Sequence, residues 1–183
     1  NLLGREDFPI FPSSFKKPYQ YEEVDNANVL LRSEILSRVL EGQEKDEIII
    51  TYPEALYEKV INKRSLKENT FQAKVGEQVD MEFVAELLHS YDFERTDFVY
   101  EPGQFAIRGG ILDVFSFSNE HPYRLELFGK EIESIRTFDP ESQLSIASVD
   151  QLSLIPNTQT KLLQEVRQSF LGFLPEKANL WIK

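Results

Sequence analysis

The chain has 183 residues, 41% of them hydrophobic, with 14 Phe and a formal net charge of −11. That is enough apolar material to bury a core, so a disordered chain is excluded. The lack of cysteine excludes disulfides, thiol nucleophiles and cysteine-ligated metals, and no apolar run approaches the ~20 residues of a membrane span.

The acidity is local. From Phe71 to Asn157 there are 16 Asp/Glu against 6 Lys/Arg, a net −10. Nucleic-acid binding runs on phosphate neutralisation by Lys and Arg, so this segment is a poor direct DNA binder. It suits a protein partner steered by complementary charge; acidity that serves only solubility is the alternative. A reducing, cytoplasmic setting fits a chain without cysteine. The chain starts at Asn1 rather than Met and reads as a processed or cut piece.

Residues 1–24 carry Pro9, Pro12 and Pro18 and read as extended or irregular. Their aromatics Phe8, Phe11, Phe15, Tyr19 and Tyr21 are expected to pack on something. Asp25 or Asn26 caps a helix with a Leu31–Ile35–Val39 stripe, flanked by Leu36 and Leu40, that ends at Gly42. "EIIITY" (47–52) predicts a buried strand, and "EALYEKVI" (54–61) a short helix. Residues 1–68 are thus an α/β segment.

From 69 the pattern changes. "TFQAKVG" predicts a strand, and Asp80 caps a helix whose Phe83/Leu87 and Val84/Leu88 pairs form one apolar face. Strands are then expected at "DFVYEP", "QFAIRGGILDVFSF", "YRLELF", "EIESIRTF" and "SIASVDQLSLIP". The fold class expected for 69–157 is α+β: a small antiparallel or mixed sheet packed on one helix, flanked by partial α/β segments. Residues 158–183 predict a helix capped at Thr158 or Thr160, striped by Leu162, Val166 and Phe170 and ended by Gly172. "NLWIK" reads as a further strand.

No Gly-rich phosphate cradle is visible among the 8 glycines, and the two histidines, His89 and His121, are too few and too far apart for a metal site. No carboxylate pair is singled out by spacing. The chain therefore reads as non-catalytic, with no cofactor or metal expected.

Alternation along "PYRLELF" puts Tyr123, Leu125 and Leu127 inward and Arg124, Glu126 and Phe128 outward. Gly129-Lys130 reads as a two-residue hairpin turn, which would set Glu126 opposite Glu133 and Arg124 opposite Ile135. Two opposed glutamates call for a nearby cation. In the preceding strand Phe105 and Ile107 point inward and Arg108 outward, and Gly109-Gly110 reads as a β-bulge. If the two strands are neighbours, Arg108 joins Arg124, Glu126 and Phe128 on one outer surface, with the Arg and aromatic composition of protein–protein hot spots. Intra-sheet ion pairs from the arginines to Glu126 and Glu133 are the plainer alternative.

The stretch "GQFAIRGGILDVFSFSNEHPYRLELFGKEIESIRTFDPESQLS" (103–145) resembles the signature of the UvrB-like excision-repair family, which includes transcription-repair coupling factors (Mfd) and UvrB. The coupling-factor version is the better match. "HPYRLELFGKEIESIRTFDPESQLS" looks closer to it, and "YQYEEVDNAN" has no room for UvrB's DNA-inserting hairpin. The resemblance implies the tail of a degenerate helicase-like domain (1–68), a UvrA-binding domain (69–157) and the start of the next half of the helicase-like domain (158–183). It implies a module that recruits UvrA, with Arg108, Arg124 and Phe128 as contacts and Glu126 contributing. It also implies that an intramolecular domain of the parent masks the surface, and that RNA polymerase, DNA and ATP are engaged only by the parent. The corresponding region of UvrB, another UvrB-like protein, or a nucleic-acid-binding helicase fragment are the alternatives. Ala106, Ser116 and Leu144 depart from the family pattern, where Arg, Pro and Arg are usual; Ala106 puts any UvrB-like extra salt bridge in doubt.

Overall fold

Along the chain the elements are β1 (Ile10–Phe11), α1 (Asn26–Glu41), β2 (Ile50–Thr51), α2 (Pro53–Tyr57), β3 (Val60–Ile61), α3 (Lys63–Glu68), β4 (Phe71–Lys74), α4 (Met81–Ser90), β5 (Glu94–Arg95), β6 (Gln104–Arg108), β7 (Ile111–Val114), β8 (Tyr123–Phe128), β9 (Glu131–Phe138), β10 (Ser145–Val149), β11 (Gln151–Leu154), β12 (Arg167–Gln168) and α5 (Phe170–Phe173). They come from a computed structural model that describes residues 8–15, 26–42, 48–157 and 167–181. Two units emerge: residues 68–160, and residues 1–67 with 161–183. Asp25, Tyr19, Tyr21, Thr158, Thr160, Leu162 and Val166 lie outside the described residues.

In the unit formed by the chain's two ends, β1 pairs parallel with β2, and α1 is the crossover between them. Gly42 follows α1 at φ +66°, the left-handed position where glycine ends a helix. The buried face of α1 is Val29, Arg32, Ser33 and Leu36, with Ile35 beside it; Leu31, expected in the core stripe, is exposed. The apolar pattern hid this because the buried face includes a charge. Arg32 donates to the Pro12 carbonyl at 2.6 Å, pairs with Glu58 at 3.5 Å and lies 4.3 Å over the Phe11 ring, which stacks on Phe170 at 3.7 Å. Burial pushes the Arg32 pKa down to about 10, against the pull of Glu58.

Several expectations for this unit are corrected. "EIIITY" contributes only Ile50–Thr51, and Ile48 and Ile50 are exposed, because β2 is covered by β1 alone among the described residues. The helix expected at 54–61 stops at Tyr57, and Val60–Ile61 pairs antiparallel with β12. That pairing also prevents a continuous helix into Phe170; Ser169 instead starts α5, accepting from the Gly172 amide at 3.1 Å. Asn179–Trp181 forms no strand and is exposed.

In residues 68–160 the main sheet has the order β10-β9-β8-β7-β6-β5, antiparallel throughout except for β5 beside β6. This is an α+β unit with a mixed sheet. Asp80 caps α4, accepting from the amides of Glu82 (3.0 Å) and Phe83 (3.4 Å), and its second oxygen takes Lys130 at 2.6 Å. Val84 and Leu88 are buried, but Phe83 is exposed, so only one of the two expected apolar pairs enters the core. His89, at the end of α4, meets the Phe105 ring edge-on at 5.1 Å, so the helix backs the Phe105 side of the sheet.

"DFVYEP" is not a strand; the strand is Glu94–Arg95 just before it, and residues 97–103 are a loop. Gly109-Gly110 is not a bulge but the turn of a β6–β7 hairpin. Gly109 has φ +60°, and a Cβ on Gly110 would lie 2.7 Å from the Leu127 carbonyl oxygen. The bulge occurs in β9, where the register shifts from Leu127↔Ile132 to Glu126↔Ser134. The extra residue lets Ile132 and Ile135, three apart, both reach the core. "SIASVDQLSLIP" is two strands: β10 edges the main sheet, β11 pairs with β4, and between them the Asp150 carbonyl accepts from the Val75 amide at 3.0 Å.

Among the described residues no helix is long and apolar enough to cross a membrane, and no three His, Asp or Glu are grouped to hold a metal ion.

Two outcomes test this account. Hydrogen bonding to Lys130 and to two amides lowers the Asp80 pKa below its ordinary 3.8. A carboxylate depressed in the folded state adds stability above its unfolded pKa and loses it as pH falls through the folded one. The melting temperature should therefore fall in the order native, Asp80→Asn, Asp80→Ala at neutral pH, with the gap between native and Asn closing below pH 3.8. Gly110→Ala should cost about 2 kcal/mol in urea unfolding, because its Cβ meets backbone, whereas Gly109→Asn should cost less, since Asn tolerates positive φ.

Candidate protein-interaction surface

The register of β6, β7, β8 and β9 lays two rows of side chains on one face. Ala106, Asp113, Arg124 and Arg136 are successive cross-strand partners. So are Arg108, Ile111, Glu126 and Ser134. Strands β6 and β8 are not direct neighbours: β7 lies between them and supplies what joins their arginines.

That link is Asp113, whose side chain is 0% exposed. Arg124 lies directly across and donates Nε to Oδ1 at 2.7 Å and an NH2 proton to Oδ2 at 2.9 Å, a bidentate fork. Arg108 reaches diagonally to the same Oδ2 and also donates to the Asp97 carbonyl. Both guanidiniums stack on aromatic rings, Arg124 at 4.4 Å from Phe138 and Arg108 at 5.0 Å from Phe98. Hydrogen bonding to Asp113 raises the Arg124 pKa above its usual value; burial opposes this, and the charges of Asp113 and Glu126 add to the rise.

The exposures separate the two arginines. Arg108 is 37% exposed and Arg124 17%. Arg124 also donates to the Gln143 carbonyl at 3.2 Å and to its Oε1 at 3.4 Å. Phe128, at the strand's end, is 82% exposed. The outward placement expected for Arg108, Arg124, Glu126 and Phe128 is what the register gives, with Leu125 inward and buried.

The partners differ from those expected. With the bulge in β9, Glu126 faces Ser134 and Arg124 faces Arg136. No pair of glutamates is opposed there. The cation beside Glu126 is Arg136, which ion-pairs with it, while the Ser134 hydroxyl donates to it at 3.0 Å. Of the departures from the family pattern, Ala106 is buried, Ser116 is buried with its Oγ accepting from the Ile155 amide at 3.3 Å, and Leu144 is exposed.

Reading the sequence missed Asp113, Arg136 and Gln143. For Asp113 a signal was present: a lone carboxylate inside the apolar run "GGILDVF", five residues after a lone arginine. An ionised side chain among apolar neighbours needs a charged partner nearby.

Removing Asp113 leaves two arginines without their shared anion. Asp113→Asn should destabilise by about 3 kcal/mol, near the lower end for breaking a buried pair because Arg108 is partly solvated. Arg108→Met should cost clearly less, since Arg124 still neutralises the carboxylate. Chemical denaturation of the three chains gives the ordering; an Asp113→Asn as stable as the native chain would contradict it.

Residues 71–159 match the family model of the UvrB interaction domain. The chain is 31% identical to the transcription-repair-coupling factor of Myxococcus xanthus over 85% of its own length and 13% of that protein. It is 31% identical to the Bacillus subtilis transcription-repair-coupling factor over 68% of its length and 10% of that protein. To the UvrABC system protein B of Methanococcus maripaludis it is 26% identical over 87% of its length and 24% of that protein. The chain thus spans a quarter or less of each of these relatives. Residues 71–159 thus belong to the UvrB interaction domain family, in a chain similar over most of its length to transcription-repair-coupling factors.

Proposed function

We propose that this chain is a non-catalytic protein-interaction module that binds UvrA through the open part of the β6–β9 face, and so recruits it to stalled RNA polymerase in transcription-coupled excision repair. The observation that carries the reading is the pairing of a solvent-facing aromatic, Phe128, with two arginines already aimed by one buried carboxylate. Aromatics and Arg supply most binding energy at interfaces, and side chains held in place lose less entropy on association.

Within this reading the residues divide the work. Phe128 is the apolar anchor. Arg108 offers the N–H groups not used by Asp113 and the Asp97 carbonyl to an acceptor on UvrA. Glu126, oriented by Arg136 and Ser134, presents an acceptor in the same row as Arg108. Arg124 keeps the pair in register. The net −10 of residues 71–157 favours approach to a basic partner surface and disfavours nucleic acid. Residues 1–68 and 158–183 are assigned to flanking parts of a helicase-like domain. RNA polymerase, DNA and ATP are engaged only through the parent protein, in which another domain masks the surface.

The decisive measurement is titration calorimetry of this chain against purified UvrA. Arg108→Ala and Phe128→Ala should each weaken binding by about tenfold or more, the size of a hot-spot truncation. Neither should shift the melting temperature as Asp113→Asn does. A folded double variant that binds UvrA as the native chain does would overturn the reading. The masking part is checked separately by comparing this chain with the whole parent protein, where equal affinities would count against it.

A further inference from the structure

Gln143 has φ +60°, a left-handed backbone that only Asp92 shares among the described non-glycine residues. Glycine would adopt it freely, and Asn more readily than Gln. The glutamine side chain is fully employed instead. Its Nε2 donates to the Pro140 carbonyl at 2.7 Å and to the Val99 carbonyl at 3.1 Å. Its Oε1 and its own carbonyl both accept from Arg124. One residue therefore ties its own loop, the 97–103 loop and the Arg124 guanidinium together. Strained backbone of this kind persists where the surroundings hold it and gathers at functional sites.

The consequence falls on Arg124. With Asp113 and Gln143 together, its guanidinium makes four hydrogen bonds. A guanidinium has five N–H donors. Little of Arg124 is left for a partner, and its orientation is fixed from two sides. Asp113 is fixed in turn, and it is Asp113 that aims the more exposed Arg108.

We propose that Gln143 is a positioning residue for the interaction surface: it acts through Arg124 and Asp113 to set the direction in which Arg108 faces the partner. This rests on the reading of UvrA binding above. Gln143→Gly keeps the carbonyl acceptor and relieves the backbone, so the melting temperature should hold or rise, while affinity for purified UvrA should drop by about tenfold with the side-chain bonds gone. Gln143→Asn, which tolerates the same φ but is too short to span the loops, should behave alike and controls for added flexibility. In an Arg124→Ala background, Gln143→Gly should cost nothing further, within about twofold, whereas its effect should multiply with that of Phe128→Ala.

Gln143→Gly binding within about twofold of the native chain overturns the proposal. So does a loss confined to the glycine variant, or effects of Gln143→Gly and Arg124→Ala that multiply. If the native chain binds and Phe128→Ala weakens it, those results sink only the role of Gln143. If the native chain does not bind UvrA at all, both readings fall together.

Discussion

One buried carboxylate, Asp113, sets the arrangement of the whole outer face. A charge with no exposed surface must be neutralised where it sits, and it draws one arginine from each neighbouring strand. Those arginines in turn lie on Phe98 and Phe138 and hold the loops before β6 and after β9. The loops then close the lower part of the sheet, where Val99, Ala106, Phe115 and Phe138 form a small core of their own. The upper part stays open. The division between a sealed half and a presenting half follows from where Asp113 lies in β7.

The other unit is built on the same physics with the sign reversed. Arg32 is buried in α1, and carbonyls, Glu58 and the Phe11 ring gather around it. Glu58 accepts from the Ser14 amide at 2.8 Å and the Ser13 hydroxyl at 3.2 Å, so the turn after β1 is fixed by the anion that serves Arg32. In both units a single charge specifies which segments meet, a role that apolar packing alone fills with less selectivity.

What could be read from the sequence, and what could not, follows from the range of the forces. Local signals were legible. The Asp80 cap, the glycine at the end of α1, the Gly129-Lys130 hairpin and the outward phase of Arg124, Glu126 and Phe128 all depend on residues within a few positions of each other. Register and sheet order were not, because they depend on pairings that the pattern does not encode. Gly109-Gly110 supports a bulge as readily as a turn when viewed alone, and only the close approach to Leu127 from the next strand decides it. The extra residue in β9 is explained by the demand that Ile132 and Ile135 both be inside, which appears only once the sheet has two faces. Buried charges on apolar faces misled in both units. Arg32 displaced Leu31 from the core of α1, and Asp113 stood unremarked in a run that looked uniformly apolar.

Phe128 sits beyond the last core position of β8, on a hairpin tip whose register is pinned by the bulge behind it. Its side chain supports nothing beneath it. Mutational freedom is therefore distributed unevenly across a few residues of one sheet. At position 128 a lineage can try new side chains, and hence new partner preferences, without risking the fold; at 113 almost any change is a folding defect first. Adaptability and robustness are set side by side on neighbouring strands, so the exposed side chains of this face can drift while its scaffold stays fixed.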